Sequence, residues 1–262
     1  MGGSFALALK KAGLVKRVVG YSKSPSTTET ARKMGVIDVA AESALLAVSG
    51  SDIVLIAVPV AATEATLKAI RHLVNPGVLF MDVGSTKCDV VDAAKRALGD
   101  RVAGFVPCHP IAGKEAGGVA NADATLYQGC KVIITPSPVT DPAQVQRATD
   151  VWSAVGGQVV RMRPQHHDTA FAAVSHLPHL LAFAYFNAVA TQARGPDFLS
   201  LAGPGFRDFT RIAASEPAVW RELGEAQLRL GRKALAASSF SQAARRGSIR
   251  EIVVTNYAAG MP

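Results

Sequence analysis

Cysteine is scarce in this sequence. Cys88, Cys108 and Cys130 are the only three in 262 residues, and they are scattered, without the spacing of metal ligands. That excludes a disulfide scaffold and a cysteine metal centre, leaving reduced, buried thiols as the expectation. Aromatic residues are also few, at 6%, and the Lys and Arg behind a formal charge of +8 are dispersed. A single-strand nucleic-acid binder interleaves basic and aromatic residues along a stripe, so no nucleic-acid partner is expected. A positive field that gathers a small polyanion, such as a phosphorylated cofactor or a dicarboxylic acid, is the better use of this charge. Long apolar runs are missing too: the stretch 171–189 is interrupted by His176, Pro178, His179 and Asn187. A span needs roughly 20 apolar residues, so no membrane partner is expected. The short apolar run 5–9 has no basic region before it and does not read as a signal peptide. The expected location is the cytoplasm.

What is present is a chain 49% hydrophobic and 18% charged, enough for one large or two modest domains with real cores. Up to about residue 162, short apolar strands alternate with helical patterns. Helices are predicted over 5–12, 28–34, 62–73 and 87–98, and strands over 17–21, 52–57, 78–82, 102–106, 131–135 and 158–162. The run 52–57 (DIVLIA) reads as a strand buried on both faces. This alternation predicts an α/β fold, a Rossmann-like doubly wound parallel sheet. Beyond it the pattern is all helical, with a long apolar helix over 169–193 and shorter ones over 205–214 and 217–237. Two domains follow: 1–162, dinucleotide-binding, and 163–262, helical.

The predicted helix 5–12 starts directly after Gly2-Gly3-Ser4. Glycines at a helix N-terminus let backbone N–H groups approach a pyrophosphate, where the helix dipole favours negative charge. In a dinucleotide fold this turn follows the first, central strand and carries a Gly-x-Gly-x-x-Gly fingerprint. Here the sequence begins inside that motif, so a preceding strand of about 5–6 residues and a longer native chain are expected. The next strand ends in Tyr21-Ser22-Lys23, where an NAD site usually places Asp or Glu for the ribose. Ser22 and Lys23 could instead donate to a 2′-phosphate, which favours NADP, with NAD possible. With Val58 and Pro59 at the end of the next apolar strand, the cofactor-binding candidates are Gly2, Gly3, Ser22, Lys23, Val58, Pro59 and Ser85.

Two segments at strand ends carry the chemistry: Asp82-Val83-Gly84-Ser85-Thr86-Lys87, and the glycine-rich stretch from His109-Pro110. Open α/β folds keep their ligands at the carboxyl ends of parallel strands. A histidine there is a plausible base, because its ordinary pKa lies near neutrality, and Ser85 could hold its ring or the same substrate hydroxyl. A structural histidine is the bland alternative. His176 and His179 are three apart on one predicted helix and share a face, as ligand groups or as satisfied core residues. No third ligand completes a metal site.

These segments, with Ser175-His176-Leu177-Pro178-His179 and Gly205-Phe206-Arg207-Asp208-Phe209-Thr210-Arg211-Ile212-Ala213, resemble the prephenate and arogenate (cyclohexadienyl) dehydrogenase family. The resemblance runs to about Glu222. It implies an NAD(P)-dependent oxidoreductase of tyrosine biosynthesis, in which prephenate or arogenate is oxidised and decarboxylated to 4-hydroxyphenylpyruvate or tyrosine. By resemblance, His109 matches the catalytic base that takes the proton of the ring hydroxyl, and Ser85 the serine that orients it and contacts the cofactor. His179 and Arg211 match substrate-binding positions, with Arg211 gripping a carboxylate, a role suited to its planar fork. Ser175, His176 and Glu115 match pocket residues and Trp220 an aromatic beside them. Asp168, in His166-His167-Asp168, looks like the acidic residue of arogenate-accepting members, where it can pair with the substrate ammonium. An acidic residue favouring a helix N-terminus is the alternative.

The resemblance also implies a homodimer paired through C-terminal helices. After Leu223 the sequence departs from the family: 238–262 is rich in Ser, Gly and Arg, with a β-like patch at 252–254. Two other readings stay open. One is a dehydrogenase of similar two-part build acting on a 3-hydroxy acid or an imine, which would be expected to use a lysine or other group on the helical domain. The other is a non-catalytic nucleotide-binding remnant, which a cofactor titration would distinguish.

Overall fold

The computed structural model describes residues 1–73, 77–113 and 118–214. The chain divides into two compact units, Met1–His167 and Asp168–Pro262. The first opens with α1 (Gly2–Lys11), β1 (Val19–Gly20), α2 (Pro25–Lys33), β2 (Val39–Ala40) and α3 (Ala44–Val48). There follow β3 (Ile53–Ile56), α4 (Thr63–Ile70), β4 (Leu79–Asp82), α5 (Cys88–Leu98) and β5 (Phe105–Val106). It ends with β6 (Cys108–Pro110), β7 (Lys131–Ile134), α6 (Pro142–Ala154) and β8 (Gln158–Arg161). The strands form three sheets, ordered β1-β2, β3-β4-β5 and β6-β7-β8. Every pairing is parallel except β6 with β7.

Strand β4 organises the unit. It lies between β3 and β5 and all of its residues are buried. Because strand side chains alternate, Leu79 and Met81 face one way and Phe80 the other. Leu79 and Met81 pack with Phe5, Ala8 and Leu9 of α1 and with Val145, Ala148 and Trp152 of α6. Phe80 packs with Leu67 and Ile70 of α4 and with Val90, Ala94 and Ala97 of α5. Helices therefore cover both faces, the doubly wound arrangement expected from the sequence. Each large apolar side chain so buried contributes about 1.5–3 kcal/mol.

The run 52–57 is not buried on both faces: in β3 Val54 and Ile56 are buried while Ile53 and Leu55 are half-buried, because β3 is the outer strand of its sheet. Helix α6, unassigned in the sequence reading, is well specified: Asp141 accepts from the Ala143 amide at 2.9 Å, Pro142 occupies its first turn, and Val145, Ala148 and Trp152 form its inward stripe.

The second unit is helical throughout its described part. A continuous helical run, Pro164–Ala190, starts in the first unit as α7 (Pro164–Phe171), widens into a π-helical turn at Ala172–His176 and continues as α8 (Leu177–Ala190). Pro178 explains the widening: it lacks an N–H and its ring collides with the carbonyl four residues earlier, so the preceding turn opens. Helices α9 (Gly195–Ser200) and α10 (Pro204–Thr210) follow, then a 3₁₀ turn at Arg211–Ala214. Leu180, Ala182, Phe183 and Ala213 form its core. By length and composition alone, the 27-residue run could cross a membrane, as interior helices of soluble proteins often could. That amends the expectation drawn from its polar interruptions. The helix expected over 217–237 and the patch at 252–254 lie outside the described residues.

Candidate active site

Asp82 closes β4 with a carboxylate that is 1% exposed. Its Oδ2 accepts from the Gly84 amide at 2.7 Å and from Lys87 Nζ at 2.5 Å. Its Oδ1 accepts from the Cys108 amide at 2.8 Å, and Lys87 Nζ also donates to the Cys108 carbonyl at 2.6 Å. One buried ion pair thus binds the loop bearing Ser85 to the strand bearing His109. Glycine is required at 84, since a Cβ there would meet Asp82 Oδ2 at 2.9 Å and Val60 Cγ2 at 3.1 Å. Thr86 donates to Asp89 at 3.1 Å, closing the loop onto the first turn of α5.

His109 was expected in a loop after a parallel strand. It lies instead inside β6, opposite Ile133 of the antiparallel β7. Its neighbours Cys108 and Pro110 are buried and His109 is half-buried, so alternation turns the imidazole away from the core that holds Cys108. The Cys108 thiol accepts from the Trp152 indole N–H at 3.3 Å, and burial pushes its pKa up to about 12. It is an inert core thiol; none of the three cysteines forms a disulfide, but only Cys108 is buried as expected, Cys88 and Cys130 being half-buried. His109 Nδ1 lies 2.7 Å from Nε2 of His167 in α7, with ring centroids 5.0 Å apart at 63°.

The cofactor candidates partly converge. Gly2 starts α1, and a Cβ there would stand 3.0 Å from Ala57 Cβ, directly before Val58 and Pro59. A Cβ at Gly3 would meet Ala122 at 3.2 Å and Val36 at 3.3 Å. The helix start is therefore closed to side chains, as a backbone cradle for a phosphate must be. Gly84 in turn adjoins Val60, so the segment after β4 and the start of α1 both border the segment that follows β3. Ser22 and Lys23 lie on the separate loop between β1 and α2, where Ser22 Oγ accepts from the Ser24 amide and Lys23 is exposed.

In the second unit, Ser175 and His176 belong to the π-helical turn and His179 to α8. His179 Nδ1 donates to the Ser175 carbonyl at 2.8 Å, so in the neutral ring Nε2 is the acceptor. His176 and Asp168 are buried, while Arg211 is exposed at the start of its 3₁₀ turn. Glu115 and Trp220 lie outside the described residues. Among the described residues no cluster of His, Cys, Asp or Glu has the arrangement of a metal site.

Sequence reasoning passed over Asp82, Lys87 and His167 as site residues. Asp82 and Lys87 had a signal, a lone carboxylate ending a fully apolar strand with a lysine five residues on. His167 had none, because its contact is made 58 residues away.

Comparison with known proteins places these features in context. The family model described as prephenate dehydrogenase, nucleotide-binding domain, matches residues 5–161, and that described as prephenate dehydrogenase, dimerization domain, matches 163–248. The chain is 38% identical over 228 residues to a prephenate dehydrogenase of Bacillus subtilis, covering 85% of this chain and 60% of that one. It is 34% identical over 206 residues to a cyclohexadienyl dehydrogenase of Zymomonas mobilis, covering 78% and 69% respectively. A solved prephenate dehydrogenase from A. aeolicus, in complex with hydroxyphenyl propionate and NAD+, superposes with a TM-score of 0.79 at 32% identity, covering 99% of this chain and 89% of that one.

Proposed function

The chain belongs to the prephenate dehydrogenase family, and from that premise we propose that it oxidises and decarboxylates prephenate, arogenate or both, in tyrosine biosynthesis. The observation that carries this reading is the Asp82 carboxylate, which holds the Ser85 loop through the Gly84 amide and the His109 strand through the Cys108 amide. A base and its partner hydroxyl fixed by one buried anchor are what proton abstraction from a positioned substrate needs.

In this reading Nε2 of His109 accepts the proton of the ring hydroxyl, and Ser85 orients that hydroxyl and the imidazole. A bound nicotinamide dinucleotide supplies the hydride acceptor, and loss of the ring carboxylate completes an aromatic ring. Gly2 and Gly3 at the start of α1, with Val58, Pro59 and Ser85, hold the dinucleotide. Ser22 and Lys23 favour NADP, and NAD is accepted as the alternative. Arg211 and His179 are the candidates for the substrate's polar groups, Ser175, His176, Glu115 and Trp220 are further candidate substrate contacts, and Asp168 is the candidate partner of the arogenate ammonium. Domains 1–162 and 163–262 divide cofactor from substrate binding, and the second pairs two copies in a cytoplasmic homodimer.

The test crosses prephenate and arogenate with NADP and NAD and follows reduced-cofactor absorbance. Turnover in the wild type and its loss by at least about 10²-fold in His109→Asn, with cofactor affinity kept, is the expected result. Full turnover in His109→Asn sinks the assigned base, and cofactor binding with no turnover on any pair favours a non-catalytic binding protein.

A further inference from the structure

We propose that His167 is the positioning residue of His109, accepting a hydrogen bond from its Nδ1–H and so reserving Nε2 for the substrate. The inference rests on the reading of His109 as the base. Its ground is the 2.7 Å contact between His109 Nδ1 and His167 Nε2, within one compact unit.

Only one proton fits between those two nitrogens, so one ring donates and the other accepts. The direction decides the chemistry. If His167 donates, neutral His109 carries its own proton on Nε2 and presents a donor to the substrate, unfit to take a proton there. If His109 donates, its Nε2 is a lone-pair acceptor, ready to act as the base. Free neutral imidazole prefers the Nε2–H form, so a base working through Nε2 needs an acceptor opposite Nδ1 to hold the other tautomer. Carboxylates usually do this in histidine-based sites. Here the contact is made by a neutral-capable imidazole.

The surroundings suit that task. His167 is fully buried, and its amide donates to the Arg163 carbonyl at 3.0 Å in the first turn of α7, which Pro164 starts. His109 is fixed from the other side by β7 and by the Cys108–Asp82 bond. Both rings are carried by hydrogen-bonded backbone, His109 in a paired strand and His167 in a helix, as an orienting contact requires. When Nε2 of His109 takes the substrate proton, the imidazolium Nδ1–H bond to His167 becomes charge-assisted and strengthens. The contact therefore favours the transition state over the ground state. A neutral acceptor also adds no negative charge where a carboxylate substrate must bind, which distinguishes this pair from a carboxylate-oriented histidine.

The experiment is ¹⁵N NMR of the full chain with labelled histidine, His109 being assigned by its absence in His109→Asn. The expected wild-type signature is a protonated Nδ1 and an acceptor Nε2 on His109. In His167→Leu that signature should move toward the Nε2–H form and kcat should fall on the order of 10²-fold, with the KM for cofactor unchanged. His167→Gln, whose side-chain oxygen can accept, should recover the tautomer and at least about tenfold of the rate. A wild-type His109 already in the Nε2–H form overturns the proposal without any variant. So does a His167→Leu enzyme that keeps both tautomer and kcat while His109→Asn is dead. Full turnover in His109→Asn marks a different failure, that of the base assignment itself.

Discussion

Two clusters of opposite charge flank the β4–α5 segment, and they differ in nearly everything but chemistry. At the end of β4, Asp82 and Lys87 are 1% and 0% exposed, 2.5 Å apart, and their bonds to the Gly84 amide and to the Cys108 amide and carbonyl reach the backbone that carries Ser85 and His109. On the surface of α4 and α5, Glu64 meets Lys68 and Arg96, each at 2.7 Å, with the cations more than half exposed. The hydrogen bonds from Arg96 and Lys68 lower the Glu64 pKa to about 2. Water screens the surface cluster, and its strong pairing contributes little to the fold. The buried pair is fully committed, because neither charge can recover its hydration if the other is lost. Short distances are common to both clusters, and burial separates them.

The contrast is broken most severely by Lys87→Met, which strands the Asp82 carboxylate. Denaturant unfolding should show a loss of about 3–5 kcal/mol, and turnover should fall with it as the Ser85 and His109 segments come apart. Asp82→Asn combined with Lys87→Met removes both charges and should recover most of that stability. A double variant as unstable as the single one would mean that the pair's bonds, and not the orphaned charge, dominate. Next in size is Gly84→Ala, where the added methyl presses on Asp82, Val60 and Val90. A loss of about 1–3 kcal/mol is expected, and a neutral result would show that the loop has room to shift.

Asp38 lies between the extremes. It accepts from Lys10 Nζ at 2.6 Å and from the Val18 amide at 2.7 Å, is 42% exposed, and its carboxyl is held below the ordinary range chiefly by the Lys10 bond. Asp38→Asn should cost under about 1 kcal/mol after solvent screening, read in the same unfolding assay. The smallest effect belongs to Glu64→Gln, whose melting temperature should differ little from wild type at neutral pH and not at all in 1 M salt. The sign with pH is fixed by a depressed folded pKa. Whatever Glu64 contributes is complete above its unfolded value of 4.5 and is lost as pH falls through about 2. A wild-type advantage that grows on acidification would contradict this.

The legible parts of the fold were those whose pattern is local. The strand at 78–82 and the helix at 87–98 were readable to within a residue or so, because a run of consecutive apolar residues and a 3.6-residue stripe are each complete within one segment. Helix α6 was equally local and was passed over despite its Asp-Pro start. Strand β2 and helix α3 are too short to carry a period, and β6 hides because three residues closed by proline do not look like a strand. The site divides the same way. Ser85, His109, His179 and Arg211 take their candidate roles from recognisable motifs, whereas Asp82 and Lys87, in the same segment as Ser85, and His167 matter through what they touch.

By itself, the sequence determined the alternation of strand and helix, the helical second part, the glycine-led start of α1 and the identity of the segments that carry chemistry. Those follow from side-chain period, backbone freedom and residue type, which act over a few neighbours. Only the tertiary structure decided that β6 runs antiparallel beside β7, that Lys87 reaches the Cys108 carbonyl, and that His167 meets His109. Each of those depends on the register and packing of elements 21 to 58 residues apart. No local preference encodes such a distance, because it is set by which strands pair and how helices seat on them.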